Sequence, residues 1–172
     1  MKPEYLNLYT KDGKLTNEKG VRGTPSDYYK GISIIFIEND KGEFLLQKTS
    51  KKRSNVYATT GGHVDYGETF LSTIVREVKE ELGLEVEANN VKEVCSYLYT
   101  NKYSDVYTEK YLIKVFYLKK NIDIKKLKIQ KDEVSFVDWY KVDEIDKLIE
   151  ENQFRDGNIE GYQYIKELNK TN

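Results

Sequence analysis

Glu77, Glu80 and Glu81 stand three and four residues apart in a run, Gly62 to Leu84, that reads GHVDYGETFLSTIVREVKEELGL. On a helix those spacings put all three carboxylates on one face, beside the apolar stripe rather than inside it. Like charges so placed repel by on the order of a few tenths of a kcal/mol per pair, so the patch calls for positive charge nearby. Arg76 is one source and a divalent cation is another. Mg²⁺ prefers oxygen ligands and commonly joins one or two carboxylates to a substrate's phosphates, which makes the patch a cation platform. The bland alternative is a solvated acidic face, which is what most charge runs are.

A helix is needed to carry this patch, and Leu71, Ile74, Val75, Val78 and Leu82 recur at the spacing of one, with Gly83 where a helix end favours a left-handed residue. Gly61 and Gly62, just before it, are expected to break the extended segment 56–60. Upstream, the β-branched and aromatic run 31–38, the turn 39–42 and the run 43–48 read as a hairpin. Downstream, 91–100 and 106–118 read as a longer antiparallel pair, and 133–140 as a further strand. Segment 143–152 has helical spacing with acids in its first turn, and 159–168 is expected to form a final short helix. The lysine-rich segment 119–131 reads as a solvated hairpin or edge. Strands around a central helix predict an α+β fold, an α/β/α sandwich.

The chain has 172 residues, the size of one ordinary domain, with residues 1–30 expected as an N-terminal extension packed on it. Lys plus Arg total 28 against 29 Asp plus Glu, which leaves no basic footprint for bulk nucleic-acid binding. One cysteine, Cys95, and one histidine, His63, exclude an internal disulfide and a Cys/His metal cluster. Neither a secretion signal nor a membrane span is visible, so a cytoplasmic protein is expected.

The segment from Gly62 to Leu84 resembles the Nudix box: Gly62, five residues, Glu68, seven residues, Arg76-Glu77, the aliphatic Val78, one residue, Glu80-Glu81, one residue, Gly83 and the aliphatic Leu84. The pattern is complete, which overturns the solvated-face reading. The resemblance implies the Nudix fold, a mixed sheet between helices, with the box forming loop, catalytic helix and loop. It implies a hydrolase in which Mg²⁺ or Mn²⁺ is held by Glu77 and Glu81, with Glu80 close by and the Gly61 carbonyl as a further ligand. It also implies that Glu68 and Arg76 pair to orient the cluster. The expected partner is a small diphosphate, a nucleoside diphosphate linked to another moiety, and family members are often homodimers. The general base is either Glu77 or a glutamate outside the box, for which Glu133 is the candidate; an exposed strand-start acid is its alternative.

Around the diphosphate site this resemblance locates, His63 is a candidate phosphate contact, as are Lys48, Lys51, Lys52 and Arg53 of the upstream loop, the alternatives being a local loop role and ordinary surface charge. Tyr97, Tyr99, Tyr103, Tyr107 and Tyr111 offer faces for stacking a planar group, with core and sheet packing as the competing role. Diffuse similarity extends to the branch containing isopentenyl-diphosphate isomerase, through YLNLYTKDGK, Arg22-Gly23 and DEVSFVDWYKVDEIDKLI. The isomerase needs a cysteine near the box, where this chain has Gly61-Gly62. Hydrolysis is therefore favoured over isomerisation, and the intact Glu77, Glu80 and Glu81 favour it over a noncatalytic nucleotide-sensing module. No proline follows Leu84, so the downstream prolines that mark ADP-ribose and NADH pyrophosphatases are absent.

Overall fold

A computed structural model describes residues 3–171. Among them nine strands form one mixed sheet with three α-helices: β1 Tyr5–Tyr9, β2 Leu15–Val21, β3 Tyr29–Glu38, β4 Phe44–Thr49, β5 Tyr57–Ala58, β6 Thr60–His63, α1 Phe70–Leu82, β7 Lys92–Lys102, β8 Thr108–Lys119, β9 Val134–Tyr140, α2 Val142–Glu150 and α3 Asp156–Thr171. The centre is β3, parallel to β8 and antiparallel to β1, β4 and β6 at different points along its length. Strand β7 pairs with β8, and β9 pairs with β4.

Both faces of β3 are covered, which explains its unbroken apolar run. Ile35 and Ile37 enter one core with Ile74, Val78 and Leu82 of α1, while Ile34 and Phe36 enter a second with Ile145 of α2 and Tyr162 of α3. Successive side chains thus alternate between two helical layers, as the two-residue period of a strand requires. This is the expected α+β sandwich. Burial of Ile74, Val78 and Leu82 contributes about 1.5–3 kcal/mol per side chain as an upper-range estimate, and it seats α1 on the sheet. Leu71 is exposed and Phe70 takes the inward place expected of it, with its ring 4.9 Å from that of Tyr9.

Helix α1 is tightly bounded. Ser72 N–H donates to the Thr69 hydroxyl at 3.0 Å and Thr69 N–H to Ser72 Oγ at 2.9 Å, a reciprocal cap. At the other end Gly83 has φ 63°. Segment 119–131 is neither hairpin nor edge. It crosses the end of α1, where Lys128 N–H and Gln130 N–H donate to the Leu82 and Glu81 carbonyls at 3.0 Å each. Those carbonyls have no partner within the helix, so the segment satisfies them, and it packs Ile122, Ile124, Leu127 and Ile129, each half-buried, against the first core.

Upstream of β3, β1 and β2 join the sheet. Strand β1 pairs with β3, Leu6 and Leu8 are buried, and Tyr66 N–H donates to the Tyr5 carbonyl at 2.9 Å. The Asn7 amide donates to the Glu68 carbonyl at 2.7 Å and its oxygen accepts from Gly67 N–H at 3.1 Å, so β1 pins the loop that leads into α1. Among the described residues no helix is long and apolar enough to cross a membrane.

Candidate active site

The extended chain does not break at Gly61-Gly62. Both glycines lie within β6, Gly61 opposite Ile34 and Gly62 opposite Ser33. Their role is close approach. A Cβ on Gly61 would collide with the Ser33 carbonyl, and one on Gly62 with the Glu77 carboxylate. The first obstacle is sheet backbone and the second is the tip of a side chain that can move. Gly61→Ala is therefore expected to lower thermal stability, while Gly62→Ala melts near wild type but loses activity because Glu77 is displaced. A melting curve and a turnover measurement on each variant check this, and equal behaviour of the two would refute it.

The box side chains converge on a cleft of about 1040 Å³ between β6, α1 and the start of α3. Arg76 is its organiser. Its Nε and Nη2 donate to the two oxygens of Glu68 at 2.9 Å each, a bidentate pair, and Thr73 donates to Glu68 at 2.7 Å. Arg76 Nη1 reaches Glu77 at 2.7 Å and Glu80 at 3.1 Å, and Nη2 donates to the His63 carbonyl at 3.3 Å. Glu81 lies deeper, 5% exposed, accepting from Gln47 Nε2 at 3.0 Å and from Gly61 N–H at 3.4 Å.

Burial, reinforced by the charge of Glu77, pushes the Glu81 carboxyl up to about 8. Burial also raises Glu77; Arg76 opposes that, while Glu80 and Glu133 add to it. Two neighbouring carboxylates that resist ionising together are a mark of a functional site. Among the described residues no three acidic, His or Cys side chains are already gathered at metal-binding geometry, since Arg76 engages Glu77 and Glu80 while Gln47 engages Glu81.

Glu133 lines the same cleft, close enough to raise the Glu77 pKa, and Arg53 Nη2 meets it at 2.5 Å. His63 also lines it, 5.8 Å from the Tyr111 ring, and burial lowers its pKa to about 4, so its ring is neutral at ordinary pH. Lys48 does not line the cleft; its ammonium sits 4.1 Å from the centre of the Tyr57 ring. Lys52 reaches the rim and pairs with Asp132 at 3.1 Å. Tyr99, Tyr103 and Tyr111 line the cleft, whereas Tyr97 is core, donating to the Gly157 carbonyl at 2.6 Å. Cys95 lies on β7 against the second core, its thiol pushed up to about 11 by burial, and is not part of the cleft wall.

Spacing did not mark Gln47, Arg22 or Arg155, all of which line the cleft. For Gln47 a signal existed, a polar residue inside the run FLLQK whose neighbours are core. Arg22 and Arg155 carry none, because their segments reach the cleft only through tertiary packing.

With this geometry in view, the comparisons with known proteins agree. The NUDIX domain family matches residues 27–161. A Nudix hydrolase of Listeria innocua is 25% identical over 158 residues, covering 88% of each chain. The NAD-capped RNA hydrolase NudC of Pectobacterium carotovorum is 38% identical over 71 residues, which is 40% of this chain and 26% of the relative. A crystal structure from Deinococcus radiodurans superposes with a TM-score of 0.74 at 19% identity, covering 93% of this chain and 98% of the other. The chain belongs to the Nudix family and has its fold. Within that family it stands among the hydrolases, as an enzyme of the pyrophosphohydrolase type.

Proposed function

We propose that the chain hydrolyses a phosphoanhydride bond in a nucleoside diphosphate linked to another moiety, with Mg²⁺, or Mn²⁺ in its place, held by Glu77, Glu81, Glu80 and the Gly61 carbonyl. The observation that carries this reading is the pair Glu77 and Glu81, a half-buried and a buried carboxylate neighbouring on the cleft wall, each raised in pKa chiefly by desolvation. The donor set fits a hard divalent cation, because every atom in it is oxygen and because such a charge would reverse the pKa shifts that burial imposes. The chemistry that such a cation supplies when bound is neutralisation of diphosphate charge and a lower pKa for the attacking water.

The protein's own residues do the rest. Arg76, fixed by its bidentate pair with Glu68, orients Glu77 and Glu80 and offsets their charge. Gln47 holds Glu81 in one rotamer. Neutral His63 can donate or accept a hydrogen bond at the diphosphate but adds no charge. The base is Glu77 or Glu133. Glu133 is released to take a proton if Arg53 turns to the substrate, so Glu133→Gln is expected to lower kcat at least about tenfold, within the range for a general base. Turnover near wild type would leave the role to Glu77.

The test of the whole reading is a panel of nucleoside diphosphate derivatives with Mg²⁺ or Mn²⁺, followed by phosphate or nucleotide release. Silence across the panel at high metal would refute hydrolysis. A cytoplasmic location belongs to the same reading, since the single free thiol needs no oxidising compartment.

A further inference from the structure

Among the described residues five cationic side chains border the cleft, and four already face a carboxylate. Arg22 pairs with Glu4 at 2.8 Å, Lys52 with Asp132 at 3.1 Å, Arg53 with Glu133 at 2.5 Å, and Arg76 with Glu68 and Glu77. Arg155 is the exception. Among the described residues no carboxylate lies within 4.0 Å of it, and its side-chain hydrogen bond is the one Nη2 donates to Ser54 Oγ at 3.4 Å, near the far limit of such a bond.

The side chain cannot simply swing away to water from a loose loop, because its backbone is tied down. Arg155 N–H donates to the Tyr57 carbonyl at 2.8 Å, Tyr57 N–H to the Gln153 carbonyl at 2.8 Å, and Phe154 forms a parallel bridge with Tyr57. Immediately after it α3 begins, where Asn158 N–H donates to the Arg155 carbonyl at 2.9 Å and Asn158 Oδ1 accepts from Thr59 N–H at 3.3 Å. Residue 155 is thus anchored to the stretch 57–59 that runs directly into Gly61. Burial is the largest influence on its guanidinium and lowers its pKa; Glu81 opposes this at longer range, and the like charge of Arg53 reinforces it. A half-buried cation on the cleft wall, with the like charge of Arg53 acting on it and no counter-ion at contact distance, is an arrangement that an incoming anion relieves.

Arg155 and Arg76 serve different parts of the cleft. Arg76 reaches the loop before α1 through Asp65 and Glu68, whereas Arg155 reaches the loop between β4 and β5 through Ser54. We propose that Arg155, with Ser54 Oγ beside it, binds an anionic group of the substrate beyond the diphosphate engaged at Glu77 and Glu81, so that favoured substrates carry a further phosphoryl group there rather than an uncharged sugar. The proposal rests on the hydrolase reading above and adds a substrate class to it. A guanidinium suits the task because its planar fork matches two phosphoryl oxygens at once.

The test compares a nucleoside triphosphate with a nucleoside diphosphate linked to a neutral sugar, in wild type, Arg155→Gln and Arg155→Lys. Arg155→Gln is expected to raise KM for the triphosphate with little change in kcat, lowering the triphosphate-to-sugar ratio of kcat/KM by about 10- to 100-fold, the range of a charged hydrogen bond. Arg155→Lys, which keeps the charge and loses the fork, should lower the ratio less. If Arg155 merely screens Glu81, or if the variant is misfolded, both substrates lose kcat alike and the ratio holds; either result overturns the proposal. A second measurement needs no turnover: calorimetric binding of inorganic tripolyphosphate without divalent metal should weaken about tenfold in Arg155→Gln. Equal affinity would overturn the assignment even if neither nucleotide were cleaved, whereas weakened binding without cleavage would sustain the anion site and count against hydrolysis alone.

Discussion

Glu81→Gln is expected to lower kcat by about 10²- to 10³-fold, the loss that follows removal of one group aimed at developing charge in a dry site, while the variant melts within a few degrees of wild type. The two halves of this expectation have separate causes. Glu81 is the deepest of the box acids, and as a carboxylate it suffers burial that no adjacent cation offsets, since Arg76 contacts Glu77 and Glu80 instead. A glutamine fills the same volume, and its carbonyl can still accept the 3.0 Å bond from Gln47. Folding therefore loses little. Catalysis loses a charged oxygen at the centre of the proposed donor set, and neutral amide oxygen is a far weaker ligand for a divalent cation. Steady-state kinetics across a metal titration, with a thermal melt on the same preparation, separates the outcomes. Turnover close to wild type at ordinary metal concentration would remove Glu81 from the site, and collapse of the melt would make it a structural residue first.

What could be read along the chain was whatever depends on residues near one another in sequence. Helix α1 and the 43–48 strand follow from local apolar patterning and the turn signals that bound it, and the resemblance of Gly62 to Leu84 to the Nudix box implies the Glu68–Arg76 pair. The misjudged positions all answer to distant partners. Gly61 and Gly62 look like a break because glycine in isolation favours one; the Ser33 carbonyl and the Glu77 carboxylate, close by in space, are what require glycine in a strand. Segment 119–131 looks like a solvated edge because it is full of lysines, yet its Ile122, Ile124, Leu127 and Ile129 pack inward while its backbone closes the end of α1. Lys48 is one residue from Gln47 on β4, and the alternation of the strand sends one to Glu81 and the other to the opposite face over Tyr57. Within the expected N-terminal extension, no local spacing marks Asn7 as the residue that holds the loop carrying Glu68.

Glu109→Gln is expected to be among the most destabilising single changes in the protein, at about 3–5 kcal/mol, although Glu109 lies outside the box and has no part in the proposed chemistry. Lys30 on β3 and Glu109 on β8 form an ion pair with side chains only 2% and 6% exposed. The pair is fully furnished: Lys30 also donates to the Thr24 carbonyl at 2.6 Å, and Glu109 accepts from the Tyr107 hydroxyl at 2.7 Å and from Tyr111. Removing the carboxylate strands a buried ammonium, and that uncompensated charge, more than the lost attraction, sets the size of the effect. Lys30→Met added to Glu109→Gln should therefore recover much of the loss, because the charge goes and the glutamine oxygen still accepts from a tyrosine. The pH dependence has a definite sign. Burial alone would raise the Glu109 pKa, but the hydrogen bonds from Lys30, Tyr111 and Tyr107 outweigh it and hold the folded value below the ordinary 4.5. Its contribution is thus fully present above 4.5 and is lost as pH falls through the lower folded value; Glu109→Gln should abolish that part of the acid slope in denaturant titrations run from neutral pH downward. A single variant as stable as wild type, or a double variant no better than the single, would refute this account. Tyr111 connects the pair to function, since its ring also lies 5.8 Å from that of His63 on the cleft wall, so loosening Glu109 should raise KM before kcat.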